Sequence, residues 1–359
     1  MTMIYGTSAR RILVIAAFLT VSILGCNNGG TAKNDASSTG AAKADAAPSQ
    51  VELLNVSYDP TRELWRQVNE RFVVAYRNQA AREVTIKQSH GGSGSQARAV
   101  IDGLEADVVT LAIWSDIDAI RKAGLIADDW QQRLPHDSLP YFSTIVLVVR
   151  KGNPHEIKDW SDLVRPDVAI ITPSPKTSGN GKLSFLAAWG SIVRRGGSEA
   201  EARDFVTELY RHTPVLDTGA RAATNTFAQK GIGDVHLTWE NEAVLEVAES
   251  GGQLQIVYPP ISIRAEPFVA LVDANVDRKS TRDVAEAYLK FLYTPEAQQV
   301  IAENGYRPIE PDVLSQHSEK FPELELFEIA EIAAGWAEAN DKFFAEGGVF
   351  DQIYESRAE

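Results

Sequence analysis

The chain has 359 residues, 49 Asp and Glu against 35 Lys and Arg, a formal net charge of −14 and a single cysteine. No basic stripe is available to neutralise phosphates, which argues against a nucleic-acid backbone as partner, and the acidic balance repels small anions at long range. An intrachain disulfide is impossible, so stability must come from packing.

Arg10 and Arg11 precede fourteen mainly apolar residues, Ile12 to Gly25, and then Cys26. The run is shorter than the ~20 residues of a bilayer-spanning helix and has the form of a signal peptide over 1–25. "ILGC" (Ile23 to Cys26) resembles a bacterial lipobox, which implies cleavage before Cys26 and lipidation of its thiol. Leu24 beside Gly25 is a slightly loose match, and ordinary cleavage nearby is the alternative. Residues 27–50 carry no aromatic and no branched aliphatic side chain. They cannot bury enough surface to offset the entropy of ordering them. With Cys26 they form a disordered tether, 26–50, whose r.m.s. reach is roughly 25–30 Å as a flexible coil.

About 309 residues follow, a length that suggests two lobes of ordinary domain size. From Val51 the order is "VELLNVSY", "DPTRELWRQVNERFVVAYRN", "EVTIKQ", "SQARAVIDGLEA" and "DVVTLA". Extended and helical patterns alternate at the spacing of βαβ units and a parallel sheet. Asp59 as N-cap and Pro60 at the first helical position mark the start of the first helix. A second α/β series runs from "VAIITP" through "GNGKLSFLAAWGSIVRRGG", "SEAEARDFVTELYRH", "TPVLD", "GARAATNTFAQKG" and "GDVHLTWENEAVLEVAESGG" to "LQIVYP".

Two long apolar extended segments, Ser143 to Pro154 and Pro267 to Asp273, flank the second series and suit paired crossover strands. The remainder to Glu359 is mainly helical by spacing. This organisation predicts a discontinuous first lobe, 51–146 plus 268–359, with the second lobe, 147–267, inserted. Ligand would then sit in the cleft at the carboxyl ends of the strands.

Three loops share one design: "HGGSGSQ", "KTSGNGK" (Lys176 to Lys182) and "DTGARAA" (Asp217 to Ala223) each precede a helix. Glycine permits close backbone approach, and first-turn N–H groups with the helix dipole favour negative charge. One such loop is an ordinary helix start. Three, drawn from both halves, argue for convergence on one oxyanion. The glycine loops are not nucleotide or hydrolase motifs. Lys176 stands where a P-loop needs its first glycine and Leu183 where it needs Ser or Thr, while Ser95 occupies the final glycine position of G-x-S-x-G.

The six histidines are scattered without metal-ligand spacing, so no metal is expected. His90, beside the glycine loop, reads as structural. Glu240 and Glu242 read as helix-start residues that interact with the dipole, not as a catalytic pair.

"LLNVSYDPTREL", "QSHGGSGSQA", "EADVVTLA", "STIVLVVRKGNP", "TPSPKTSGNGK", "LAAWG", "DTGARAATNTF", "GIGDVHLTWENEA", "AEAYLKFLYTPEAQ" and "GGVFDQI" together resemble the sulfate-binding proteins of bacterial sulfate/thiosulfate ABC importers, from Val51 to about Ile353. The resemblance implies an α/β, two-lobed periplasmic-binding-protein fold of type II. Each lobe would be a mainly parallel sheet flanked by helices, and two crossover strands would join them.

It further implies sulfate held by uncharged donors: the Asp59 backbone N–H, Ser93, a hydroxyl and N–H groups from Ser178, Gly179 and Asn180, the Ala220 N–H and the Trp239 indole N–H. Taken singly, most of these read more readily as a plain cap, a turn residue or a core tryptophan. Arg221, next to Ala220, reads as solvated or lobe-bridging. Asn180 replaces a glycine common in the sulfate type and makes "PKTSGN" look like the thiosulfate-binding sister group, so the implied ligands are sulfate and thiosulfate.

A site of donors alone suits a dianion with no proton to give, whereas hydrogen phosphate needs an acceptor. The implied protein is a monomeric, lipid-anchored periplasmic lipoprotein without cofactor or catalysis, delivering its anion to a membrane permease and ATPase complex. The rivals are another tetrahedral oxyanion, molybdate or phosphate, a secreted hydrolase using an oxyanion hole, and an adhesive lipoprotein.

Overall fold

A computed structural model describes residues 50–80 and 82–355. The signal peptide, Cys26 and all but the last residue of the tether lie outside them. Among the described residues no helix is long and apolar enough to cross a membrane.

The first series folds as read. Strands β1 (Val51–Tyr58), β2 (Val84–Gly91) and β3 (Val108–Leu111) alternate with helices α1 (Arg62–Ala80), α2 (Ser93–Ile101) and α3 (Trp114–Lys122). β1 pairs in parallel with β2 and β3. β2 extends beyond "EVTIKQ" because its pairing with β1 continues through Ser57–His90 and Tyr58–Gly91. The strand therefore delivers the chain directly into the glycine loop. α1 buries Leu64, Trp65, Val68, Phe72 and Tyr76, one helical stripe, against a core shared with Val108, Tyr288 and Leu289. Each such aliphatic or aromatic side chain contributes about 1.5–3 kcal/mol on burial.

The chain then enters β4 (Tyr141–Arg150). Its nearly unbroken apolar run marks a strand covered on both faces, and it is buried throughout except at Phe142 and Arg150. The second series supplies β5 (Ile170–Pro173), α4 (Gly179–Val193), α5 (Glu199–Arg211), β6 (Val215–Asp217), α6 (Ala220–Thr224), β7 (Val235–Trp239), α7 (Glu240–Glu249), β8 (Leu254–Val257) and β9 (Ile261–Ala265). β5 is parallel to β6 and β7, but β4 is antiparallel to β7, β8 and β9. The second sheet is therefore mixed, where the sequence suggested a mainly parallel one. β4, which brings the chain in, runs opposite to β9, which carries it back.

The return strand β10 (Phe268–Leu271) pairs antiparallel with β3. Sheet order is β10-β3-β1-β2 in the first body. The expected pairing of the two crossover segments is displaced: Ser143 and Thr144 face Ala265 and Arg264 at the end of β9, and Glu266–Pro267 makes the return.

The last ninety residues divide. α8 (Asp273–Lys279), α9 (Arg282–Phe291) and α10 (Pro295–Glu303) follow β10, with Val276, Tyr288 and Ile301 in the first core. β11 (Arg307–Pro308) pairs with the start of β4. β12 (Glu325–Phe327) pairs with β9 of the second sheet, and Phe327, Trp336, Phe343, Phe344 and Phe350 join the core around α4 and α5. Sequence placed all of 268–359 with the first lobe. The aromatic residues after 325 instead cover α4, whose residues from Gly179 to Ser191 are buried.

Candidate functional site

The three glycine loops meet. α2 begins at Ser93, with Gly92 as N-cap. α4 begins at Gly179, with Ser178 as N-cap. α6 begins at Ala220, with Gly219 as N-cap. The first helical bonds run from Gln96 to Gly92, Lys182 to Ser178 and Ala223 to Gly219. The N–H groups of Ser93, Gly179, Asn180 and Ala220 therefore lie ahead of each ladder, the positions a helix leaves without an internal partner.

Glycine is required at the junctions by proximity. A β-carbon on Gly92 would lie 2.4 Å from the Thr177 carbonyl oxygen, one on Gly179 2.3 Å from the Ala112 β-carbon, and one on Gly219 2.7 Å from Asp59 Oδ2. Each approach joins a loop of the first sheet to one of the second. Between them is a small cavity lined by Tyr58, Asp59, Pro60, Gly91, Gly92, Ser93, Ser178, Gly179, Asn180 and Ala220. Its volume is about 160 Å³. That space is enough for about one small group.

Six of the seven residues named from sequence line this cavity. The seventh, Trp239, ends β7 and is fully buried, with its ring centroid 5.3 Å from that of Tyr58. Its indole Nε1 has no hydrogen-bond partner among the described residues. A buried unpaired N–H costs about 1–3 kcal/mol, and the aromatic volume alone would have been served by phenylalanine.

Side chains around the cavity are otherwise engaged. Ser93 Oγ donates to Asp116 Oδ2 at 2.5 Å and accepts from the Ala112 N–H at 3.0 Å, which leaves its backbone N–H as the group on offer. Ser178 Oγ accepts from the Gly181 N–H at 3.4 Å. Its own proton is free to point elsewhere. The Asn180 carboxamide turns away, donating to the Leu237 carbonyl at 3.3 Å, so Asn180 too presents its backbone.

Asp59 departs from expectation. Tyr58 is the N-cap of the 3₁₀ turn Asp59–Thr61, and there is no side-chain cap bond. The Asp59 carboxylate accepts from Arg62 Nη2 at 2.7 Å instead. Pro60, one position later than predicted, removes an N–H and leaves that of Asp59 as the donor at this corner.

No lysine or arginine lines the cavity. The nearby cations are paired: Arg62 with Asp59, Lys182 Nζ with Asp116 Oδ1 at 3.3 Å, and Arg221 with Glu63 at 3.1 Å and Glu242 at 3.0 Å. Arg221 thus bridges the two bodies. Burial pushes the Glu242 carboxyl up to about 8, against the pull of Arg221. Glu240 is held by Arg307 through two bonds of 2.7 and 2.8 Å. The two glutamates face different partners and do not form a carboxylate pair.

His90 Nε2 bonds Gln88 Oε1 at 2.7 Å. Burial, then the Arg62 charge, lowers its imidazole to about 4. Sequence reading missed Asp116, Lys182 and Tyr58. The first two lie 66 positions apart, and no local pattern couples them.

Comparison with known proteins gives the family. Residues 59–307 match the family described as bacterial extracellular solute-binding protein. The chain is 52% identical over 305 residues to a sulfate-binding protein of Salmonella typhimurium, covering 84% of this chain and 93% of the relative. It is 46% identical over 317 residues to a thiosulfate-binding protein of Pseudomonas aeruginosa, covering 88% and 96%. Among solved structures, the sulfate-binding protein SubI of Mycobacterium tuberculosis H37Rv superimposes with a TM-score of 0.76 at 33% identity, covering 82% of this chain and 99% of that one. A periplasmic thiamin-binding protein shares the fold, with a TM-score of 0.62 at 18% identity. The architecture is the two-lobed, type II periplasmic-binding fold. The chain belongs to the bacterial extracellular solute-binding proteins and, within them, to the family of the sulfate-binding proteins.

Proposed function

We propose that this protein binds sulfate, and thiosulfate as a second ligand, outside the cytoplasm and hands it to an ABC importer. The observation that carries the reading is the convergence of three helix starts on one small cavity, with the unpaired buried indole N–H of Trp239 on a ring that packs against the cavity residue Tyr58. Asp59, Ser93, Gly179, Asn180 and Ala220 donate through backbone N–H groups, Ser178 through its hydroxyl and Trp239 through its indole. Each charge-assisted bond to a dianion is worth about 1.5–3 kcal/mol, set against desolvation of the ion and closure of the lobes. Helix dipoles disperse the charge, and no cation need touch the ligand.

The working unit is two lobes that close on the anion. The first comprises 51–140 with 268–323, and the second 141–265 with the strap 325–353. The closed shape is what the permease and ATPase complex recognises, so binding itself is the mechanism and no reaction is catalysed. Cys26, lipidated, would anchor a monomer to the membrane surface in the periplasm.

Calorimetric titration of anion-stripped protein with sulfate, thiosulfate, molybdate and phosphate tests the reading. Sulfate and thiosulfate give saturable heats and phosphate gives none at neutral pH. Phosphate binding as tight as sulfate would defeat it.

A further inference from the structure

One buried ion pair crosses between the two bodies beside the cavity. Lys182 sits on α4, a turn beyond Ser178, Gly179 and Asn180, and its Nζ lies 3.3 Å from Asp116 Oδ1 on α3. Lys182 is 9% exposed and Asp116 5%. The other Asp116 oxygen accepts the Ser93 hydroxyl proton, and that same hydroxyl oxygen accepts the Ala112 N–H. A continuous chain, Lys182–Asp116–Ser93–Ala112, thus links the start of α4 to the start of α2. Lys182 also faces Asn340 Oδ1 at 3.4 Å and the Phe344 ring at 5.7 Å. Both belong to the strap on the α4 side of the molecule.

We propose that Lys182 is a closure-dependent positioning residue that holds the anion in place without touching it. When the lobes part, Lys182 keeps Asn340 and Phe344, Asp116 keeps Ser93, and water solvates the charges released from each other. When they close, the pair is desolvated and satisfied, and Asp116 pins Ser93 so that the first N–H groups of α2 stay aimed at the cavity. Removing either charge leaves the other buried and unpaired in the closed form only. Across an interface such a loss appears mainly in the dissociation rate. This rests on the anion-binding reading of the site.

The test follows release of radiolabelled sulfate from the full chain, chased with unlabelled sulfate. It compares wild type, Lys182→Met, Asp116→Asn and Lys182→Arg, and records melting of the anion-free proteins alongside. Lys182→Met and Asp116→Asn are expected to speed release by about tenfold or more, with Lys182→Arg close to wild type and anion-free melting unchanged. Asp116→Asn is isosteric and still accepts from Ser93, so it carries the test if Lys182→Met folds poorly. Wild-type release rates in both, or anion-free melting that falls as far as that of the loaded form, would overturn the proposal. A wild type that retains no labelled sulfate would defeat the anion reading, and this inference with it.

Discussion

Gly179 and Ala112 are in contact across the two bodies, so near that a single added methyl group at Gly179 would stand 2.3 Å from the Ala112 β-carbon and 3.3 Å from that of Ser93. No rotation of a flexible side chain can relieve such an overlap, because both obstacles are β-carbons. Gly179→Ala therefore acts on closure. Overpacking costs about 1–3 kcal/mol, which predicts sulfate affinity lower by roughly 5- to 150-fold in calorimetry, while melting of the anion-free protein stays within about 1 °C. Unchanged affinity would mean that the lobes need not approach as closely as they do here.

Trp239→Phe isolates the indole N–H. The ring would still pack on Tyr58, but the donor is gone, and a hydrogen bond to a charged group is worth about 1.5–3 kcal/mol. Sulfate affinity should fall roughly 10- to 150-fold. The anion-free protein should be as stable as wild type or more so, because an unpaired buried N–H has been removed.

Ser178→Ala removes two things at once. As N-cap of α4 the hydroxyl accepts from Gly181, worth about 0.5–2 kcal/mol. As a donor it would serve the anion. Both chemical denaturation of the anion-free protein and sulfate titration should weaken. A change confined to stability would leave Ser178 a cap and nothing more.

His90 sets a pH dependence. Its imidazole titrates at about 4 when folded, against an ordinary 6.5, because burial and then Arg62 disfavour the cation. The unfolded chain takes up the proton first. Stability from this group is fully present above about pH 6.5 and is lost as pH falls from there toward 4. Urea denaturation of wild type and His90→Gln across that window should show the wild type declining more steeply. Parallel curves would mean that His90 is not the group responsible.

The alternation of β1, α1, β2, α2 and β3 was legible because each element carries its own period and the buried stripe of α1 repeats at helical spacing. β4 announced itself by an apolar run too long and continuous for a surface strand. The convergence of the three glycine loops was legible as a shared design, since small residues before a helix are required wherever two backbones nearly touch. The destination of the C-terminal strap was not. β12 is three residues, Glu325–Phe327, and its partner β9 lies some sixty positions earlier, so no local pattern chooses between the two apolar cores.

Asp59 and Asn180 were read as backbone donors, and both line the cavity. Their side-chain partners, Arg62 for one and the Leu237 carbonyl for the other, depend on rotamers that no spacing rule fixes. Lys182 and Asp116 were invisible for the same reason that makes them informative: each is an ordinary charge on its own helix until the two bodies meet.

Neutral donors around a dianion, with every nearby cation already paired, is the claim on which the account stands. A crystal structure of the protein grown with saturating sulfate tests it most directly. The account predicts a tetrahedral anion with oxygens within about 3.2 Å of Trp239 Nε1 and of the N–H groups of Ser93, Gly179 and Ala220, and no lysine or arginine nitrogen at that distance. A cavity holding only water, or an anion in direct contact with Lys182 or Arg221, would contradict it.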